Sequence, residues 1–380
     1  MRFTEVRLEN WRNFQRVEVD LAERAFLVGP NAAGKSNLLD AFRFLRDIVA
    51  VGGGLQAAAS RRGGVSRIRC LAARRYPQVA IAVSLGDGAN RRRWQYEVAF
   101  TQDNRQRPML ARERVVRDGE ELLMRPDADD GKDAARLSQT SLEQINANLP
   151  FRDVADLLAS VRYLHVVPHL VREPERSAGR AEDPFGGDLL ERIARTNEKT
   201  RASRLKRILS ALKVAVPQLV ALELERDDRG APHIRGRYEH WRPRAGWQGE
   251  DQFSDGTLRL LGLLWALLDG TGPLLLEEPE LSLHPAVVRH VPQVFARVQR
   301  GTGRQVLVST HSAELLNDSG IGLNEVLLVE PGPQGSTVGP AASRADIARL
   351  LRGGMPLGEA VLPEVAPRDA AQLALFEPPR

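Results

Sequence analysis

Residues 25 to 36 read Ala25-Phe26-Leu27-Val28-Gly29-Pro30-Asn31-Ala32-Ala33-Gly34-Lys35-Ser36. The first four residues form an apolar run that is typical of a buried strand. The next eight fit the pattern G-x-x-x-x-G-K-S, in which glycines let successive backbone N–H groups turn toward phosphates. Lys35 would then reach the β- and γ-phosphates of a nucleotide, and Ser36 would supply an oxygen to Mg²⁺. The pattern predicts a nucleotide site, against the alternative of a chance match.

The residues around this loop fit the structural context that such a loop requires. Apolar residues at alternate positions predict two short strands before residue 25, and apolar residues at helical spacing predict a helix from Gly34 to Val49. Further strands are predicted at 78 to 85 and 93 to 100, and a hairpin over 108 to 124 through Asp118-Gly119. The polar, acidic residues 125 to 136 are predicted to form a surface loop.

The amino-acid composition favours a soluble globular protein. The chain has 380 residues, 42% of them hydrophobic and 27% charged, which favours one large domain with an insertion or two domains. Its apolar runs are too short to span a bilayer, and its first residues lack the apolar centre of a signal peptide. We therefore expect a soluble, cytoplasmic protein without a membrane partner. A single cysteine, Cys70, excludes an internal disulfide and is expected to be buried.

Positive charge is concentrated in two segments. Residues 61 to 93 contain nine arginines and one acid, and residues 189 to 213 contain eight basic residues and two acids, although the formal net charge is only +5. Such segregation is typical of a surface that faces a polyanion, so residues 61 to 75 and a helix over 189 to 213 are predicted to face DNA. A solvated helix face is the alternative. The basic residues that repeat every seven positions are Arg192, Lys199, Lys206 and Lys213.

A second apolar run ends in acids near residue 277. The sequence Leu274-Leu275-Leu276-Glu277-Glu278-Pro279-Glu280 predicts a buried strand, and the carboxyl end of such a strand is where α/β sheets bind ligands. The two adjacent acids suggest that Glu277 holds Mg²⁺ and that Glu278 orients the water that attacks the γ-phosphate. Alternatively, they are solvated acids at the start of a helix.

Two further segments complete the candidate site. Val306 to Ser309 predicts another buried strand, and His311 follows its end, where an imidazole could contact a γ-phosphate or could be structural. Residues 253 to 259 begin a helix, and Ser254 or Asp255 could simply cap it.

In this order the motifs resemble those of ABC-type ATPases of the SMC, RecF and OLD kind, in particular the bacterial AAA-family ATPases of anti-phage defence and DNA-repair loci. Residues 8 to 14 resemble their opening strand and turn, Phe253 to Arg259 their signature motif, Glu277 to Pro285 their Walker B motif and D-loop, and His311 their switch histidine. The resemblance implies that the cofactor is ATP with Mg²⁺. The phosphate loop that it implies comprises Gly29, Pro30, Asn31, Ala32, Ala33, Gly34, Lys35, Ser36 and Asn37.

The resemblance also implies a fold and a domain order. The expected fold is an α/β P-loop ATPase head of RecF/SMC-like type, with a mixed sheet and an inserted, mainly helical arm. The N-terminal lobe is expected at 1 to 125, the arm with returning strands at 126 to 250, the C-terminal lobe at 251 to 330, and a Pro- and Ala-rich tail at 331 to 380. Two such heads pack head to tail, so Ser254 and the N–H of Gly256 are expected to bind the nucleotide of a partner chain.

The sequence departs from the family pattern at three positions. Asp255 replaces a glycine of the transporter signature, Glu277 replaces the commoner aspartate, and His284 stands where the D-loop usually has an aspartate. The tail is too short for the TOPRIM nuclease that follows the head in OLD-type proteins, so we expect a separately encoded effector, such as a TOPRIM-like nuclease or a toxin.

Three functions remain open at this point. The first is a slowly hydrolysing, DNA-sensing ATPase that controls an effector in anti-phage defence. The second is a RecF-like repair ATPase, and the pentapeptide Gln372-Leu373-Ala374-Leu375-Phe376 resembles the motif that binds the bacterial sliding clamp. The third is a nucleotide-binding scaffold without turnover.

Overall fold

The computed structural model describes residues 1–73, 77–174, 183–240 and 246–367, together with positions 369, 372 and 375. In chain order its strands are β1 (Arg2–Trp11), β2 (Phe14–Asp20), β3 (Arg24–Val28), β4 (Val79–Gly86), β5 (Trp94–Gln102), β6 (Pro108–Arg117), β7 (Glu120–Arg125), β8 (Arg162–Leu164), β9 (Leu219–Arg226), β10 (Pro232–Tyr238), β11 (Trp247–Gly249), β12 (Leu274–Glu277), β13 (Val306–Thr310), β14 (Val326–Glu330) and β15 (Thr337–Pro340). Its α-helices are α1 (Lys35–Val49), α2 (Leu55–Ser60), α3 (Val65–Ile68), α4 (Ala128–Lys132), α5 (Arg152–Ser160), α6 (Pro168–Arg172), α7 (Leu189–Arg195), α8 (Glu198–Ala215), α9 (Asp255–Leu268), α10 (Pro285–Val288), α11 (Val291–Thr302), α12 (Ala313–Leu316), α13 (Ala345–Arg352) and α14 (Leu357–Val361).

These elements form two compact units. The first unit comprises Met1–Arg162 and Gln305–Arg380, and the second comprises Tyr163–Arg304. The segment from 331 onward, expected as a tail, contributes β15, α13 and α14 to the first unit.

An antiparallel sheet of the first unit arises from the alternating apolar residues near the N-terminus. Its strand order is β2-β1-β4-β5-β6-β7, and the predicted pair of β4 with β5 and hairpin of β6 with β7 are confirmed. Phe44 of α1 lies 5.3 Å from Trp11 of β1 and stacks on Phe100 of β5 at 5.1 Å, measured between ring centroids. Because such aromatic side chains remove large apolar areas from water, they fix α1 against this sheet.

A second group of strands in the first unit positions the phosphate loop. Strand β3 pairs in parallel with β13 and β14, and β15 pairs antiparallel with β14. The apolar residues of β3 are almost fully buried, as a strand with neighbours on both sides requires. Since parallel strands end at the same edge, the residues after β3 and after β13 lie side by side.

The second unit contains a three-stranded antiparallel sheet of order β11-β10-β9, the long helices α8 and α9, and the buried strand β12 beside β8. Helix α9 is apolar on most of its surface, because leucines occupy seven of its fourteen positions and six of them are buried. This helix begins at the candidate signature motif, and β12 ends at the candidate acids.

Two expectations about local structure were wrong. Residues 125 to 136 are not a simple surface loop, because the guanidinium of Arg125 binds both carboxylate oxygens of Asp130 at 2.6 and 2.9 Å and both side chains are buried. The predicted helix over 189 to 213 is two helices, α7 and α8, separated at Thr196 and Asn197. The Asn197 side chain accepts a hydrogen bond from Lys199 N, which starts a new helix there.

Candidate nucleotide site

The phosphate loop connects β3 to α1 and requires glycine at both ends. A Cβ atom at Gly29 would lie 2.3 Å from the carbonyl oxygen of Val329, the residue that follows the part of β14 paired with β3. Gly34 has φ +112°, a conformation that favours glycine, and a Cβ there would lie 2.2 Å from the Asn13 amide. Close packing therefore requires glycine at both positions, independently of phosphate binding.

Lys35 is held inside this loop. It is 6% exposed, and its Nζ donates hydrogen bonds to the carbonyl oxygens of Gly29 at 2.7 Å and Pro30 at 3.1 Å. The first turn of α1 contains no acidic residue. The ammonium group, the positive end of a fifteen-residue helix and the Ser36 hydroxyl thus form a donor set that fits a triphosphate with Mg²⁺.

A side-chain network holds the loop from outside. The Asn13 amide donates to the Ala33 carbonyl at 2.6 Å and to the Ser336 hydroxyl at 2.7 Å, and its oxygen accepts from the Asn37 amide at 2.8 Å. The Trp11 indole donates to the Asn37 carbonyl at 2.7 Å. Asn37 therefore acts as a structural link here, and the roles of Asn13 and Ser336 were not deduced from the sequence.

His311 lies beside the loop within the first unit. It follows Thr310, which pairs with Val28 across the parallel strands β13 and β3, so His311 and Gly29 begin adjacent loops. The His311 side chain is exposed. This placement suits a contact with a nucleotide bound at Lys35.

The candidate acids lie at the end of β12 in the second unit. Glu277 is the last residue of the strand, and Glu278 adopts φ +44°, in the left-handed region. Such a conformation is costly for a residue with a Cβ and is concentrated at functional sites. The backbone therefore leaves the extended conformation of β12 at Glu278.

The candidate signature motif begins helix α9 in the second unit. Ser254 is the N-cap: its Oγ accepts a hydrogen bond from Thr257 N at 3.2 Å, and Ser254 is exposed. The capping role that the sequence allowed is therefore real. Gly256 has a separate structural role, because a Cβ there would lie 2.6 Å from the Ser282 carbonyl oxygen.

Two of the departures from the family pattern have local explanations. The Arg172 guanidinium donates to the Asp255 carboxylate at 2.6 Å and to the Phe253 carbonyl at 2.7 Å, so Asp255 anchors the signature segment to the end of α6. His284 is the N-cap of α10, where its Nδ1 accepts from Ala286 N at 3.1 Å. Arg172 is a further residue that the sequence did not reveal.

The arginine-rich segment 61 to 75 differs from the expectation at Arg62. Its side chain is 5% exposed and binds Asp40 and Asp47 at 2.8 and 2.9 Å, so it cannot face DNA. Burial alone would raise the pKa of Asp40, but the guanidinium groups of Arg62, Arg43 and Arg12 together outweigh this effect and hold that pKa below its usual value. Arg61, Arg67 and Arg69 are exposed, whereas positions 74 and 75 lie outside the described residues.

One of the basic residues that repeat every seven positions is also not available to DNA. Arg192 lies on α7, separate from α8, and its guanidinium donates to the Asp269 carboxylate at 2.5 Å, so it has a structural partner. Within the parts of the chain that the structure describes, no ion pair involves the exposed lysines of α8, which are Lys199, Lys206 and Lys213. Of the segment Gln372 to Phe376, positions 373, 374 and 376 lie outside the described residues.

Comparisons with known proteins agree with this architecture. Three crystal structures of SMC head domains are similar in fold, each at 12% sequence identity. The SMC head bound to the C-winged helix domain of ScpA gives a TM-score of 0.56 over 89% of this chain and 97% of that chain. The SMC head with an extended coiled coil bound to the C-terminal domain of ScpA, from Pyrococcus furiosus, gives 0.53 over 92% and 99%. The SMC head with a coiled coil and joint from Pyrococcus yayanosii gives 0.51 over 96% and 99%.

The fold is therefore that of an ABC-type P-loop ATPase head of the SMC and RecF-like kind, as predicted. More particularly, the chain belongs to the family described as "AAA domain, putative AbiEii toxin, Type IV TA system", whose model matches residues 24–317. The sequence matches no curated protein. Among the described helices, none has the length and apolar character needed to cross a membrane.

Proposed function

We propose that this AAA/SMC-type ATPase binds ATP with Mg²⁺ at the loop Gly29 to Asn37 and hydrolyses it slowly. The observation that carries the proposal is the buried Lys35 ammonium at the start of α1, inside a loop that the Asn13 network holds in place. Lys35 would bind the β- and γ-phosphates, and Ser36 and Glu277 would supply oxygens to the metal. When bound, Mg²⁺ neutralises charge on the phosphates.

Glu278 is proposed to orient the attacking water and accept its proton. Its left-handed backbone supports the assignment, because strained residues accumulate at functional sites. His311 would donate to the γ-phosphate from the end of β13. The variant Glu278→Gln keeps the shape of the side chain but removes most of its basicity, so ATP should still bind while turnover slows.

We further propose that two chains associate head to tail when ATP is bound, with Ser254 and Gly256 of one chain contacting the nucleotide of the other. The exposed Ser254 at the positive end of a fourteen-residue helix supports this role. Light scattering should detect an ATP-dependent dimer that accumulates in Glu278→Gln. Ser254→Arg should abolish the dimer while ATP still binds, and a dimer that persists in that variant would contradict the proposal.

The lysine face of α8, defined by Lys199, Lys206 and Lys213, is proposed to bind DNA without sequence preference. Reversing the charge of these three lysines should remove binding to duplex DNA, and the affinity of the unaltered chain should fall steeply with salt. Arg192→Gln is the matched control, because this residue is already paired with Asp269. Equal affinity of the triple variant and the control would contradict a DNA-binding role for α8.

The family description supports a role in defence, since it names an AbiEii-type toxin of a type IV toxin–antitoxin system. We propose that ATP and DNA binding control a separately encoded effector, possible classes being a TOPRIM-like nuclease or a toxin. Purification of the tagged chain from its native operon, with mass spectrometry of the proteins that remain bound, tests this proposal.

A RecF-like repair role is the second candidate function, favoured by the clamp-like residues Gln372 to Phe376. A peptide of residues 366 to 380 should then bind the sliding clamp, and replacing Leu375 and Phe376 by alanine should remove the binding.

A further inference from the structure

Two side chains at the end of β8 contact the metal-binding acid of the proposed site. The Tyr163 hydroxyl donates a hydrogen bond to a carboxylate oxygen of Glu277, although the two residues are 114 positions apart. His165 Nδ1 lies 3.2 Å from the Glu277 carbonyl oxygen. Both contacts are made within the second unit, where β8 is the neighbour of β12.

The His165 contact defines a tautomer. A carbonyl oxygen can only accept a hydrogen bond, so Nδ1 must carry the proton and donate it. The ring is oriented by an edge contact with Phe185, at a centroid distance of 6.2 Å and an angle of 86°. The backbone is fixed as well, because His165 N donates to the Pro184 carbonyl at 2.9 Å and Val167 N donates to that of Phe185 at 2.9 Å.

The Tyr163 hydrogen bond restricts a side chain that is more flexible than the aspartate usual at this position. The side chain of Glu277 has one more rotatable bond than an aspartate, so a carboxylate that must hold a metal loses more conformational freedom. A hydrogen bond from a rigid phenol restricts that freedom before the metal arrives. A carboxylate has about four acceptor sites, so the Tyr163 bond leaves capacity for a metal or its water ligands.

We propose that Tyr163 and His165 are positioning residues for Mg²⁺ binding, Tyr163 by fixing the Glu277 carboxylate and His165 by fixing its backbone. The inference rests on the proposed role of Glu277. Outer groups that orient metal ligands typically change metal affinity by about 10- to 100-fold when they are removed. Tyr163→Phe, which removes only the hydroxyl, should therefore raise the Mg²⁺ concentration needed for half-maximal binding by about tenfold.

The readout is the rise in melting temperature on titration with MgCl₂ at saturating ATPγS, which does not depend on turnover. The Mg²⁺ midpoint should shift in Tyr163→Phe, while the melting temperature without nucleotide stays within about 2 °C of that of the unaltered chain. The matched control is Tyr238→Phe in the same unit, because the pKa of the Tyr238 hydroxyl is raised by burial alone, without a charged partner. That control should leave the Mg²⁺ midpoint unchanged.

A second pair of variants tests His165 independently. His165→Asn places an amide donor near the position of Nδ1 and should keep the Mg²⁺ midpoint within about twofold, whereas His165→Ala should raise it. Tyr163→Phe should have no further effect in a Glu277→Gln background, because the hydroxyl then has no carboxylate to fix.

The outcomes separate this inference from the proposed function. If Glu277→Gln shifts the Mg²⁺ midpoint but Tyr163→Phe and His165→Ala do not, the positioning roles are refuted and the metal assignment stands. If Glu277→Gln also leaves the midpoint unchanged, both the positioning roles and the proposed role of Glu277 are refuted. An equal effect of Tyr163→Phe with and without Glu277→Gln would likewise overturn the inference.

Discussion

Replacing Asn13 by alanine should loosen the phosphate loop without replacing any residue that is expected to contact ATP. The substitution removes three hydrogen bonds, of 2.6, 2.7 and 2.8 Å, to Ala33, Ser336 and Asn37. Each such bond contributes about 0.5–1.5 kcal/mol net, so the loss of all three should lower the free energy of unfolding by roughly 1.5–4.5 kcal/mol. If about 1.4 kcal/mol of this loss must be restored when ATP orders the loop, ATP will bind about tenfold more weakly.

The assay is a fluorescence titration with an N-methylanthraniloyl derivative of ATP, together with urea denaturation. The matched control is Asn148→Ala in the same unit. Asn148 is buried, whereas Asn13 is half-buried, and the Asn148 amide donates to the Leu142 carbonyl at 2.8 Å and accepts from Arg152 at 2.6 Å. The control should lose a similar amount of stability with unchanged ATP affinity. Equal ATP affinities of the two variants would refute the reasoning that Asn13 holds the loop.

Three further results are expected. Because the pKa of Asp40 is held below its usual value, its contribution to stability is present above about pH 4 and is lost as the pH falls further, which acid denaturation followed by circular dichroism will detect. Arg62→Met should lower the free energy of unfolding by about 3 kcal/mol, because it leaves buried carboxylates without their main cation, and a loss below about 1 kcal/mol would contradict this. Gly256→Ala should lower the free energy of unfolding by about 1–3 kcal/mol, because the added Cβ clashes with the Ser282 carbonyl. Gly301→Ala in α11 is the control: a Cβ there has no atom within 4 Å, so the change should be neutral or stabilising in the same urea assay.

Features set by local pattern were predicted well. Apolar alternation located the strands before Gly29, and helical spacing located α1, because each depends on residues within a few positions of one another. Glycine and lysine at fixed spacing indicated the phosphate loop for the same reason. Cys70 is buried, as expected.

Features set by contacts across the chain could not be predicted. The hydrogen bond between Ser336 and Asn13 joins residues 323 positions apart, and that between Tyr163 and Glu277 joins residues 114 positions apart. No local sequence pattern therefore indicates either pair. Arg62 was taken for a surface cation because its charge was counted with its neighbours. Its burial follows from the carboxylates that α1 places beside it.

The division of α7 from α8 shows a related limit. A seven-residue repeat of basic side chains favoured one continuous helix, but Asn197 provides an N-cap within it. A capping residue inside a periodic pattern is ambiguous from sequence, since asparagine also occurs on exposed helix faces. Ile193 of α7 and Leu205 of α8 are both buried, so each helix packs an apolar side chain against the protein.

The most direct test of ATP hydrolysis at this site is the rate of phosphate release by the purified chain, measured with Mg²⁺ and ATP for three proteins in parallel. The unaltered chain should release phosphate slowly but measurably. Lys35→Ala should release none because it does not bind ATP, and Glu278→Gln should bind ATP with unchanged affinity while its turnover falls about a hundredfold or more. Phosphate release that is equal in all three proteins would contradict the assignment of this loop and this acid to ATP hydrolysis.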